Sequence, residues 1–118
     1  MAVATTLNFS TAASAATVTE CQTLITNLNI ATNGTTFLSR SADRDHSNLI
    51  AKLAAAADKI DHNKLVDASM KLDDYSSKVT ALLESRKPKI DPSDANELLA
   101  GAGEASTCVA DLIAQAAE

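Results

Sequence analysis

Two cysteines, two histidines and fifteen acidic residues are the side chains here that could do more than pack. Cys21 and Cys108 can form a disulfide, or stand as two buried thiols acting as small apolar residues. Asp58 and His62 are four positions apart, a spacing at which two side chains of one helix face can share a metal ion. Asp43, Asp45 and His46 make a second cluster of oxygen and nitrogen donors. Neither group has a further ligand at useful spacing, so both are expected to be exposed polar residues at helix ends. No metal and no other cofactor is expected. Serines accompany the histidines without a nucleophile elbow or a triad pattern. Gly101-Ala102-Gly103 falls inside a helical stretch and fits neither phosphate-binding fingerprint. Asp73 and Asp74 are adjacent carboxylates on the solvent side of a helix. The expectation is a non-catalytic protein with no catalytic residue to assign.

The elements that carry these residues follow from apolar periodicity. Residues 63–83, NKLVDASMKLDDYSSKVTALL, are the clearest case. Leu65, Ala68, Leu72, Tyr75, Val79 and Leu82 fall at alternating steps of three and four and line one face at 3.6 residues per turn. Lys64, Lys71 and Lys78 repeat along one flank; Val66 and Met70 lie off the core face. A stripe of this kind must be buried against other helices. One is predicted over residues 17–29, capped by Thr17 or Thr19, with Val18, Cys21, Leu24, Ile25 and Leu28 inward. Residues 30–36, IATNGTT, read as a break centred on Asn33-Gly34, and Phe37-Leu38 as the start of a short helical turn. A second helix over about 47–60, with an earlier start left open, places Leu49, Ile50, Leu53, Ala56, Ala57 and Ile60 on its face. Asp61-His62-Asn63 is a tight link that forces antiparallel neighbours. Pro88 stops the third helix. Asp91 then caps the fourth, with Pro92 at its first position and Asp94 at its third. That helix runs to about residue 116. Its face is Ala95, Leu98, Ala102, Ala105, Val109, Leu112 and Ile113, and Glu97, Glu104, Asp111 and Glu118 repeat on the outer flank.

The fold class is therefore all-α: an antiparallel up-down four-helix bundle over residues 17–118. A flexible N-terminal arm of residues 1–16 precedes it, in which Val3, Leu7 and Phe9 could pack. The length, 118 residues, suits one domain. Aromatic residues are 3% and alanine is abundant, so the core is thin and its helices must approach closely. A cross-link would help such a core. In an up-down bundle the start of helix one is level with the end of helix four. Cys21 and Cys108 then fall at about the same height, as a disulfide requires. Gly101, one heptad before Cys108, lies on the same flank and permits close approach. The bridge would imply an oxidising compartment; free thiols would return the protein to the cytoplasm.

The net charge is −5, and all ten basic residues lie between Arg40 and Lys89. From Ile90 to the end there are six acids and no base. This distribution argues against nucleic-acid binding and against attraction to an anionic membrane. No apolar run reaches the length of a membrane span. The first residues lack the basic region and continuous apolar core of a secretory signal. A secreted chain would have lost its signal, with Met1-Ala2-Val3 standing in its place. Asn33-Gly34-Thr35 and Asn8-Phe9-Ser10 match the N-glycosylation acceptor pattern, which matters only for a protein secreted from a eukaryote.

Residues 49–112 read LIAKLAAAADKIDHNKLVDASMKLDDYSSKVTALLESRKPKIDPSDANELLAGAGEASTCVADL. The first helix of the LxxKLxxA type ends near Asp61-His62-Asn63. A second has Ala68 and Leu72 leading to Lys78-Val79. A basic linker with Lys89-Ile90 precedes a last helix opening on Asp94-Ala95 with Leu98-Leu99. This pattern resembles the small FIMAH-like helical modules appended to many bacterial secreted and cell-surface proteins. The middle helix departs from it, having LDDYSSKV where that type is aromatic and Gln-rich. The resemblance implies a non-catalytic extracellular accessory domain; it names no ligand and transfers no binding residue.

The leading expectation is a secreted, periplasmic or cell-surface interaction module stapled by one disulfide, with a protein or cell-surface partner. The alternative is a carrier of a small apolar, lipid-like ligand held between the helices.

Overall fold

The computed structural model describes residues 16–38 and 40–116. Four helices, α1 (Val18–Asn33), α2 (Ala42–Asp61), α3 (Leu65–Leu83) and α4 (Pro92–Ala116), form an all-α bundle. Each packs on two neighbours, in the cycle α1, α2, α3, α4 and back to α1. The predicted inward faces are buried or half-buried with one exception: Val18, expected inward on α1, is the first residue of the helix and stands 45% exposed. Leu49, Leu53, Leu72, Tyr75, Val79, Leu98 and Val109 form the centre. Ala56, Ala68, Ala95, Ala102 and Ala105 are also fully buried, and their small side chains let the backbones close together. The arm expected over residues 1–16 lies outside the described residues except for Ala16, as do Val3, Leu7 and Phe9 and the Asn8-Phe9-Ser10 pattern. Ala16 already packs on the core, and its carbonyl accepts from Gln115 Nε2 at 3.1 Å.

The helix starts follow local chemistry. Thr17 Oγ1 accepts from the Glu20 amide at 3.1 Å, and the Glu20 carboxylate accepts from the Thr17 amide at 2.9 Å. This reciprocal pair is a capping box, so the cap is Thr17 and not Thr19. Asp91 Oδ2 accepts from the Asp94 amide at 3.1 Å, as its position before Pro92 predicts. Between α2 and α3, Asn63 takes a left-handed φ of 59°, which asparagine tolerates better than most residues. That conformation directs the Lys64 amide to the Lys59 carbonyl at 2.7 Å and closes the helix end.

Two expectations need correction here, and the start of helix two is decided. The break predicted from Ile30 is helical as far as Asn33, because Thr32 occupies a buried core position. Its hydroxyl donates to the Leu28 carbonyl and meets the Tyr75 hydroxyl, each at 2.7 Å. Helix two takes the earlier start, at Ala42, because Asp45 also sits in the core register, 4% exposed. In both cases a polar residue interrupts the apolar repeat and hides the extra turn. Phe37 and Leu38 do not start a helical turn. Phe37 is bridged antiparallel to Ile90, and the Leu38 amide donates to the Lys89 carbonyl at 2.9 Å. The α1–α2 connection is thereby stitched to the α3–α4 connection. Asp94 Oδ2 adds to this by accepting from the Thr36 amide at 3.0 Å.

The two helical glycines of α4 differ in surroundings. A Cβ at Gly101 would meet Leu28 Cδ1 at 3.0 Å, whereas one at Gly103 meets nothing within 4 Å. Gly103→Ala is therefore expected to stabilise by about 0.5–1 kcal/mol through helix propensity alone. Gly101→Ala should gain less, because buried Leu28 must shift. Urea melts of the two variants measure the difference; equal gains would mean that α1 and α4 do not meet closely at Gly101.

Candidate functional site

Cys21 and Cys108 form a disulfide with a Cα–Cα distance of 5.6 Å, joining the first turn of α1 to the second half of α4. Cys21 is fully buried and Cys108 almost so. The two sites meet because α1 and α4 are antiparallel neighbours, the arrangement that the helix order and short connections require. Beside the bridge lies an open groove of about 460 Å³ between the start of α1 and the end of α4. Ala16, Leu24 and Cys108 give it an apolar floor, and Thr23 and Thr107 stand among its walls. Glu20, Glu104 and Asp111 surround it with carboxylates. Only the tertiary structure brings Glu20 opposite two members of the acidic repeat of α4. That repeat was the sole trace of the groove in the sequence.

The other polar residues singled out are placed apart from the groove. Asp58 and His62 stand exposed at the end of α2, where the His62 ring Nδ1–H donates to the Asp58 carbonyl at 2.8 Å. Asp43, Asp45 and His46 do not form a set. Asp45 turns inward, takes Lys78 Nζ at 3.5 Å and accepts from Ser41 Oγ at 3.3 Å, which ties α2 to α3. The expectation of an exposed polar residue is thus wrong for Asp45. The His46 ring turns instead to α1, its Nε2–H donating to Asn33 Oδ1 at 2.7 Å, with the Phe37 ring 5.7 Å away. Asn33, the acceptor of a glycosylation pattern, lies exposed at the end of α1, and its amide also donates to Asn29. Lys78 is likewise drawn out of the basic stripe of α3 by Asp45. Among the described residues, no group of three or more His, Cys, Asp or Glu could hold a metal ion. No described helix is long and apolar enough to cross a membrane.

Tyr75 carries the one polar group of α3 that enters the core. Its hydroxyl reaches across the bundle to Thr32 on the diagonal helix. With Thr32 Oγ1 donating to Leu28, the Tyr75 hydroxyl is the donor to Thr32. Burial pushes its pKa up from 10.0 to about 12. At neutral pH it is a structural hydroxyl.

The fold and the bridge define a four-helix bundle with a covalent link between its first and last helices. Comparison with protein-family models, with curated proteins and with solved structures finds no match for the chain.

Proposed function

We propose that the protein is a non-catalytic helical interaction module that works in an oxidising compartment, secreted, periplasmic or at a cell surface. The observation that carries this reading is the buried Cys21–Cys108 bridge, which encloses most of the chain. Such bridges persist where thiols are not kept reduced. Two further features support it. The polar groups best placed for chemistry hold the fold together instead: Thr32 and Tyr75 across the core, Asp45 on Lys78, His46 on Asn33. Large apolar side chains stand on the outside, among them Val66 and Met70 one turn apart on α3.

The interaction reading is preferred to a carrier of an apolar ligand because of the buried alanines. They occupy the helix contacts where a cavity would have to open. A native-mass adduct lost on denaturation would reverse that preference.

The thiol state in the cells of origin tests the proposal. After rapid alkylation before lysis, the protein is expected to carry no label. Its intact mass without reductant should be lower than the reduced formula by the hydrogens lost on oxidation. Two alkylated cysteines in the mature, folded protein would place it in a reducing compartment and sink the reading.

A further inference from the structure

The groove beside the disulfide combines two properties that together describe an occupant. Its floor is apolar, made by Ala16, Leu24 and the edge of Cys108. Its rim is anionic, with Glu20 from α1 and Glu104 and Asp111 two turns apart on one face of α4. Nothing basic on these two helices offsets that charge: neither α1 nor α4 contains a lysine, arginine or histidine. All ten basic residues of the chain lie between Arg40 and Lys89.

We propose that this groove docks a basic segment of a partner protein, one apolar side chain seated on the floor and a lysine or arginine against the rim. The inference names the partner class for the interaction module and rests on that reading. A neutral apolar occupant would cover the floor but partly desolvate carboxylates that it cannot pair, which is unfavourable. An acidic occupant would be repelled. A segment alternating apolar and basic residues satisfies floor and rim together, and the charge steers its approach. A groove of about 460 Å³ takes a few side chains rather than a folded domain.

The test uses the oxidised full chain, labelled with nitrogen-15, and a short synthetic peptide of alternating leucine and lysine. Leucine–serine and leucine–glutamate peptides of equal length are the controls. The expected result is a cluster of amide shifts at Thr19, Thr23, Leu24 and Thr107, produced by the lysine peptide alone and reduced by salt. Glu104→Gln combined with Asp111→Asn should weaken that binding roughly fivefold, as the loss of two exposed charge pairs implies. Both residues lie outside the capping box, so the fold is retained. Equal binding of the serine peptide, shifts centred on Val66 and Met70, or indifference to the double variant would each overturn the proposal. So would the same amides shifting with protein concentration alone, which would make a second copy the occupant. Binding that appears only after residues 1–15 are removed would assign the groove to the chain's own start, and the proposal would fall. The cellular thiol state does not enter this readout, so failure here is distinct from failure of the compartment reading.

Discussion

Replacing Cys21 and Cys108 together by alanine is expected to cost about 4–5 kcal/mol of stability in the loop-entropy account. The two cysteines are 87 residues apart in sequence, so the bridge restricts nearly the whole unfolded chain. Because the cost of loop closure grows with the logarithm of length, a link this long lies near the upper end of what one disulfide contributes. For a domain of this size the loss corresponds to a fall in Tm of roughly 15–25 °C. An alanine-rich core makes the effect matter, since Ala56, Ala68, Ala95, Ala102 and Ala105 bury little area each. The sulfurs also fill space, and the alanine variant loses them. Reduction of the unaltered protein keeps both sulfurs, so the two melts separate cross-linking from packing. The urea dependence should steepen on reduction, because the unlinked chain exposes more surface when unfolded. A Tm that barely moves on reduction would mean that helix packing alone holds α1 on α4.

Tyr75→Ala is the second large effect, a loss of about 3–5 kcal/mol. Tyr75 is the bulkiest of the fully buried side chains, and an alanine-rich core has few large side chains that could move in to fill the space. Tyr75→Phe separates the hydroxyl from the ring. Thr32 still donates to Leu28 when the hydroxyl is gone, so this change should cost only about 1 kcal/mol. The same hydroxyl makes stability depend on pH in the alkaline range. Folding raises its pKa from 10.0 to about 12, so the folded state holds the proton more tightly. The associated stability is fully present below pH 10 and is lost as the pH rises from 10 towards 12. Tyr75 is the one tyrosine and there is no tryptophan, so ultraviolet absorbance follows this single ionisation. The native protein should titrate about two units above the urea-unfolded chain, and Tyr75→Phe should abolish that part of the alkaline loss. Titration at the ordinary value in the native state would mean that the hydroxyl is not buried against Thr32.

The bundle and its disulfide were legible in the sequence because both rest on local rules. Apolar residues at steps of three and four mark a helix face wherever neighbours are polar, and Leu65 to Leu82 on α3 are such a series. Asp91-Pro92 and Thr17 with Glu20 are complete start signals within four residues of chain. The short Asp61-His62-Asn63 link forces α2 and α3 antiparallel, and helix order then brings Cys21 level with Cys108. What tertiary structure decided is where polar residues belong. Thr32 and Asp45 occupy core positions, and the sequence around them reads as the end of a pattern. Their burial is tolerated through partners on other helices, Tyr75 for one and Lys78 for the other, and no local window contains those partners. The Phe37–Ile90 bridge joins two connections far apart in the chain, so neither segment alone reveals its extended shape. The acidic groove has the same origin. Glu20 reads as a capping residue on one helix, and Glu104 and Asp111 as a solvated flank on another. Only the packing of α1 on α4 sets those carboxylates around one apolar floor, because charges combine through space and not along the sequence.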